Sequence, residues 1–289
     1  MRKQVLFILS LFLAINLHAE NKFVIEGRVA NVPDGLIVEL LRNEDNVGML
    51  VASDTLRNGK FRFEEETSGN GTDWMFLTAR TDNYYSMILY LWVRPGSSIR
   101  ISADNLLVYT WNVESDVPEQ QTRSKILASS RDLWNEYQIL DGDYDSLRSR
   151  IKSGKYSGEE KKRQKARLDS MKQAKSMLQD RISAVELEAM AKLDVDQAWM
   201  LNYVNTAYMV NISKNKDNLE KAKALYAYIP DVWRDSYSGR EAKNVLFPQH
   251  VVEVGEEAAD ADLYDIDGKL WHLSDFRGRY VLIDFWSRG

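Results

Sequence analysis

The 289-residue chain contains no cysteine, and that absence removes more chemistry than any other feature. Without a thiol these residues hold no structural disulfide, no thiolate nucleophile and no dithiol redox couple. Histidine is nearly as scarce. His18, His250 and His272 are the only three, too few without cysteine for a common zinc site. Basic charge is not in excess: the formal net charge is −5, and −7 without residues 1–19, which carry Arg2 and Lys3 and no acid. A negative chain lacks the basic face that phosphates require, so no nucleic-acid partner is expected. Long apolar runs are missing too. Val5–Leu17 spans 13 residues, short of the roughly twenty that a membrane-crossing helix needs. No Ser-His-Asp set, metal-ligand cluster or phosphate loop stands out, and no cofactor is expected.

What is present suits a globular chain of about two domains, with 44% hydrophobic residues and eight tryptophans for a core. Met1–Ala19 has the make-up of a secretory signal: Arg2 and Lys3, the apolar run, then Leu17-His18-Ala19 as a small-residue cleavage site. The expected location is therefore the periplasm or cell envelope, with no membrane span after cleavage. Only five prolines punctuate the rest, and each falls at an expected boundary: Pro33, Pro95, Pro118, Pro230 and Pro248.

Residues 22–115 are predicted to be an antiparallel β-sandwich. The runs 23–29, 36–41, 49–52, 60–63, 74–79, 87–93 and 107–113 are short and apolar or alternating, with turn signals such as Asn58-Gly59 between them. Its aromatic residues Tyr84, Tyr85, Tyr90, Trp92, Tyr109 and Trp111 read first as packing within strands, and second as the lining of a carbohydrate or peptide groove. Residues 119–246 are predicted to be helical. Ile126, Leu133, Tyr137 and Leu140 share a face of a first helix, which Asp141-Gly142-Asp143 should break. Ser157 and Glu160 form a capping-box pattern that opens a helix running to about Leu193. Its stripe of Leu168, Met171, Leu178, Ile182 and Val185 should pack within the chain, with no second long helix to pair with. Lys161–Arg167 is basic, but acids flank it, and it reads as a solvated helix face. Gln197–Val210 is expected to be a buried helix, followed by one from Asp217 that Pro230 ends and a last one over 232–246.

Residues 248–289 carry the most specific pattern. Val254-Gly255, Asp267-Gly268, Leu273-Ser274-Asp275-Phe276-Arg277-Gly278 and Tyr280 lead into Val281-Leu282-Ile283-Asp284-Phe285-Trp286. The combination resembles the thioredoxin-like superfamily, in particular the exported TlpA-like and AhpC/TSA-like thiol-disulfide oxidoreductases. The order of Gly27, Asp54-Thr55 and Asn58–Phe63 likewise resembles a domain of unknown function that often precedes them. The resemblance implies a multidomain α+β chain: β-sandwich, helical middle region, and the N-terminal part of a thioredoxin-like α/β domain. In that family a Cys-x-x-Cys would begin at position 290, so the expectation is a chain that stops short of the catalytic segment. Its partners in complete members would be protein disulfides. Accessory site residues implied by the resemblance are Asp284, as a buried acid beneath the cysteine pair, and Trp286, as the aromatic beside the active-site loop. The expected function is a fragment of an envelope thiol-disulfide oxidoreductase, redox-inactive as written. The alternative is a noncatalytic envelope binding protein that uses the sandwich and helices.

Overall fold

A computed structural model describes residues 21–44, 47–81, 84–248, 253–258, 260 and 262–284. Residues 1–19, expected to be a secretory signal, and Trp286 lie outside the described residues. The chain is a mixed α+β protein that divides into two compact units, one ending at Leu246 and one running from Phe247.

The first unit begins with strands β1 (Lys22–Val29), β2 (Ile37–Glu44), β3 (Val47–Thr55), β4 (Lys60–Glu66) and β5 (Asp73–Thr81). After them come β6 (Tyr84–Tyr85), β7 (Leu89–Val93), β8 (Ser98–Ala103) and β9 (Asn112–Glu114). One sheet has the order β4-β1-β8-β9; the other has β3-β2-β5-β6, with β7 on the same edge of β5 as β6. Alternate side chains of both sheets, among them Phe23, Ile25, Leu40, Phe61, Leu77 and Ile101, enclose one buried core. Period-two alternation requires this, since one face of each strand must leave water.

The strands differ from the sequence expectation at three points. The sheet is not wholly antiparallel, because β1 and β8 run parallel from Val24↔Ser98 to Val29↔Ala103. Strand β8 itself was not among the expected runs, although Ile99 and Ile101 alternate with polar residues and point into the core. The segment 107–113 is not one strand. Asn105 Oδ1 accepts from Leu107 N–H at 2.8 Å and Thr110 Oγ1 donates to the Leu107 carbonyl at 2.9 Å, which curls Val108–Thr110 into a 3₁₀ turn before β9.

Six helices follow: α1 (Pro118–Lys152), α2 (Gly158–Met190), α3 (Gln197–Ser213), α4 (Lys216–Tyr226), α5 (Asp231–Arg234) and α6 (Tyr237–Leu246). Helix α1 runs straight through Asp141-Gly142-Asp143, and it is the second long helix that the sequence was expected to lack. A mid-helix glycine costs about 1 kcal/mol, and packing against α2 outweighs that. Lys175 of α2 pairs with Asp141 and stands over the rings of Tyr137 and Tyr144, at 5.3 and 4.7 Å, while Leu147 is buried. The α2 stripe is buried at Met171, Leu178, Ile182, Leu187 and Met190. Ser157 is the N-cap residue of α2, yet its side chain makes no capping bond; Glu160 instead holds Arg163 and Gln164. Where one helix was expected over 232–246, there are two, α5 and α6.

Helix α3 is apolar on most sides and centres a second core. Trp199 and Tyr203 are fully buried there, with Ala222 of α4 and Ala242 and Leu246 of α6. Asp196 caps α3 by accepting from Trp199 N–H at 2.7 Å. Among the described residues no helix is long and apolar enough to cross a membrane.

In the second unit, β10 (Leu263–Tyr264) and β11 (Leu270–Trp271) form an antiparallel hairpin. Its loop closes through Asp265 N–H to the Lys269 carbonyl at 3.1 Å, with Gly268 at φ +77°, where a side chain would be strained. The following 3₁₀ turn, Leu273–Phe276, is fastened by His272 N–H donating to Asp275 at 2.8 Å. Ser274 Oγ donates to Asp260 at 2.6 Å. None of the described residues of this unit is buried. By the thioredoxin-like resemblance Val281, Leu282 and Ile283 would lie on a buried central strand. They have no strand partner among the described residues and are exposed, Leu282 at 95%. A two-stranded ribbon is marginal by itself and has no broad face to cover such a strand.

Candidate ligand-binding site

The first unit contains a cavity of about 270 Å³, walled by β7, the 3₁₀ turn and helices α1, α2 and α3. Its geometry starts at the beginning of α1. Val117 packs with Trp92 of β7 and Ala198 of α3. Gln120 Oε1 accepts from Trp92 N–H at 2.9 Å, so the first turn of α1 is fixed to the sheet. Arg94 at the end of β7 reaches both carboxylate oxygens of Glu119 at 2.8 Å and Thr72 at 2.8 Å, which fastens the same turn from outside. At helical spacing from Gln120, the inward face of α1 then presents Arg123, Ser130, Trp134 and Tyr137.

Arg123 is the central group. It is only 3% exposed, its Nη1 donates to Asn202 Oδ1 of α3 at 2.5 Å, and its guanidinium lies over the rings of Tyr90 and Tyr109, at 5.5 and 5.1 Å. Its Nε and Nη2 make no hydrogen bond of ordinary geometry with any described residue. Burial works against its charge, but Tyr109 and Glu186 outweigh that and hold its pKa above the ordinary value. Glu186 of α2 also lines the cavity and is buried. Its Oε1 accepts from Ser130 Oγ and from Trp134 Nε1, each at 2.7 Å. Asn202, Asn205 and Thr206 of α3, with Ser183 and Gln179 of α2, add uncharged polar groups to the wall. A buried cation and a buried carboxylate thus share one small, aromatic-walled space. That is the make-up of a small-molecule site: an apolar lining with a few placed polar groups.

Burial pushes the Tyr109 phenol up to about 12, with Arg123 opposing. A folded-state pKa above the unfolded one favours the protonated form, so this contribution is complete below about pH 10 and lost as the pH rises through about 12. Stability measured by urea unfolding should therefore fall by roughly 2–3 kcal/mol between about pH 9.5 and 12 through this group. The Tyr109→Phe variant should show a shallower fall. Equal slopes for the two proteins would remove Tyr109 as the cause.

Trp92 and Trp111 are packing residues, and Tyr84 donates to the Leu106 carbonyl at 2.5 Å. Tyr90 and Tyr109 line the cavity, while the side chain of Tyr85 lies outside the description. Asp284 is exposed on backbone that is not strand, so it lacks the burial that a proton-relay role would need. Lys162 and Arg163 pair with Glu159 and Glu160 on an exposed helix face. Arg123, Glu186 and Asn202 were not anticipated. Asn202 and Thr206, four apart and so on one face of a largely apolar helix, are the signal that could have pointed inward. Among the described residues no group of three or more His, Asp or Glu is placed to hold a metal. No protein-family model, curated protein or solved structure matches this chain.

Proposed function

We propose that this chain is an exported binding protein of the cell envelope, laid out like the thioredoxin-like thiol-disulfide oxidoreductases but without the thiols their reaction needs. The observation that carries the binding function is Arg123, a buried guanidinium with two unpaired N–H groups in the wall of a 270 Å³ cavity. An unmet buried donor costs about 1–3 kcal/mol, more when charged. A fold retains such a group most readily where a bound acceptor completes it. Export is supported by Arg2, Lys3 and the apolar run after them. The family likeness rests on the in-register residues from Val254 to Trp286, and in that likeness a disulfide-bearing protein is the expected partner. The thiolate is the nucleophile of the family reaction, and there is no cysteine here to supply it.

Two measurements test this. Insulin reduction by the purified chain should not exceed buffer, and turnover with contaminants excluded would refute the noncatalytic reading. A thermal-shift screen across small organic acids, amino acids, amines and monosaccharides should find at least one class that raises Tm. A screen with no shift in any class would count against ligand binding.

A further inference from the structure

The chemistry of the cavity narrows the ligand, given the binding function proposed above. Nε and Nη2 lie on one edge of the Arg123 guanidinium, and together they offer two parallel N–H donors. That fork matches the two oxygens of a carboxylate better than any single acceptor. A simple anion would still meet Glu186 in the same cavity. Both hydrogen bonds that Glu186 receives from described residues fall on Oε1, and among the described residues no donor reaches Oε2. The two charged side chains are therefore each incompletely satisfied, and their needs are opposite. The rings of Tyr90, Tyr109 and Trp134 supply an apolar wall next to them, with Tyr109 and Trp134 packed at 4.4 Å between centroids. A volume of 270 Å³ lies just under the range of roughly 300–1,000 Å³ typical of pockets for drug-sized ligands, so the occupant is small.

We infer that the cavity binds a free α-amino acid with an apolar or aromatic side chain, its carboxylate on Arg123, its ammonium on Glu186 and its side chain against the tyrosine and tryptophan rings. A zwitterion leaves the net charge of the cavity unchanged, so neither buried charge is left uncompensated. Nε and Nη2 expose almost no surface in this conformation. Seating the carboxylate therefore takes a small rotation of the guanidinium or of the rings that cover it. The indole of Trp134 lines the same cavity, and its fluorescence should report the event.

The test uses the purified full chain and three probes: L-phenylalanine, 3-phenylpropionate, which lacks the ammonium, and phenethylamine, which lacks the carboxylate. Calorimetry should show L-phenylalanine binding, with each analogue weaker by roughly 10- to 100-fold, the effect of one lost charge-assisted contact. Glu186→Gln keeps an acceptor for Ser130 and Trp134. It should weaken L-phenylalanine by a similar factor and leave 3-phenylpropionate unchanged or tighter. Arg123→Lys should weaken both carboxylates; if it does not fold, Glu186→Gln and the two analogues decide the matter. Equal binding of L-phenylalanine and 3-phenylpropionate would overturn the proposal, because Glu186 would then be only a structural counter-charge. A thermal shift with monosaccharides but none with these probes would overturn the amino-acid assignment and leave the binding function standing. Failure of every class would remove both.

Discussion

Glu186→Leu should lower the unfolding free energy of the first unit by about 2–5 kcal/mol, the cost of leaving two buried donors without their acceptor and a buried cation without its nearby counter-charge. Two losses combine. Arg123, 3% exposed, would keep its charge with no carboxylate in the same cavity to offset it. The Ser130 hydroxyl and the Trp134 indole N–H would each lose their acceptor, and an unsatisfied buried donor costs about 1–3 kcal/mol. Urea unfolding followed by tryptophan fluorescence measures the change. Arg123→Met combined with Glu186→Leu should cost less than the sum of the single changes, by about 1–3 kcal/mol, because the double variant leaves neither charge alone. A single-variant loss below about 1 kcal/mol would mean that Arg123 draws its compensation from the tyrosine rings and Asn202.

Trp199→Ala should be as damaging, at about 3–5 kcal/mol, the range for truncating a large buried aromatic. Trp199 is 1% exposed, stacks on Tyr203 at 5.0 Å between centroids, and donates its indole N–H to the Met190 carbonyl at 2.9 Å. Truncation opens a cavity at the meeting of α2 and α3 and also leaves the C-terminal turn of α2 without that donor. Trp199→Phe separates the two losses. It should recover most of the packing but not the hydrogen bond, and settle about 1–2 kcal/mol below the parent. Equal losses for Phe and Ala would place the whole effect in the hydrogen bond.

Much of the secondary structure was legible because it follows local period. Lys60-Phe61-Arg62-Phe63 alternates, and β4 is there with both phenylalanines buried. The α2 stripe was readable at three-and-four spacing for the same reason, and so was the apolar length of α3. The errors fall where a distant element overrode a local signal. Gly142 and its two aspartates mark a break locally, yet Lys175, 33 residues on, keeps them helical by pairing with Asp141. Val281–Ile283 shows the opposite case. Its apolar, β-branched run is strand-like, but neither of its edges is paired, and among the described residues it is exposed.

The candidate site was the least legible part. Arg123 and Glu186 are 63 residues apart, each on a helix rich in charge, and most charges on such helices face water. Composition and periodicity alone determined that this chain has strands and then helices, that these 289 residues carry no thiol, and which residues form its apolar faces. Those properties are local: a residue type, a period of two or of 3.6, a missing atom. Only tertiary structure decided that the face of α1 carrying Arg123 meets Tyr90 of β7, Glu186 of α2 and Asn202 of α3 around one cavity. Whether a charged side chain on a helix is solvated or buried depends on what packs against it, and that partner lies far away in sequence.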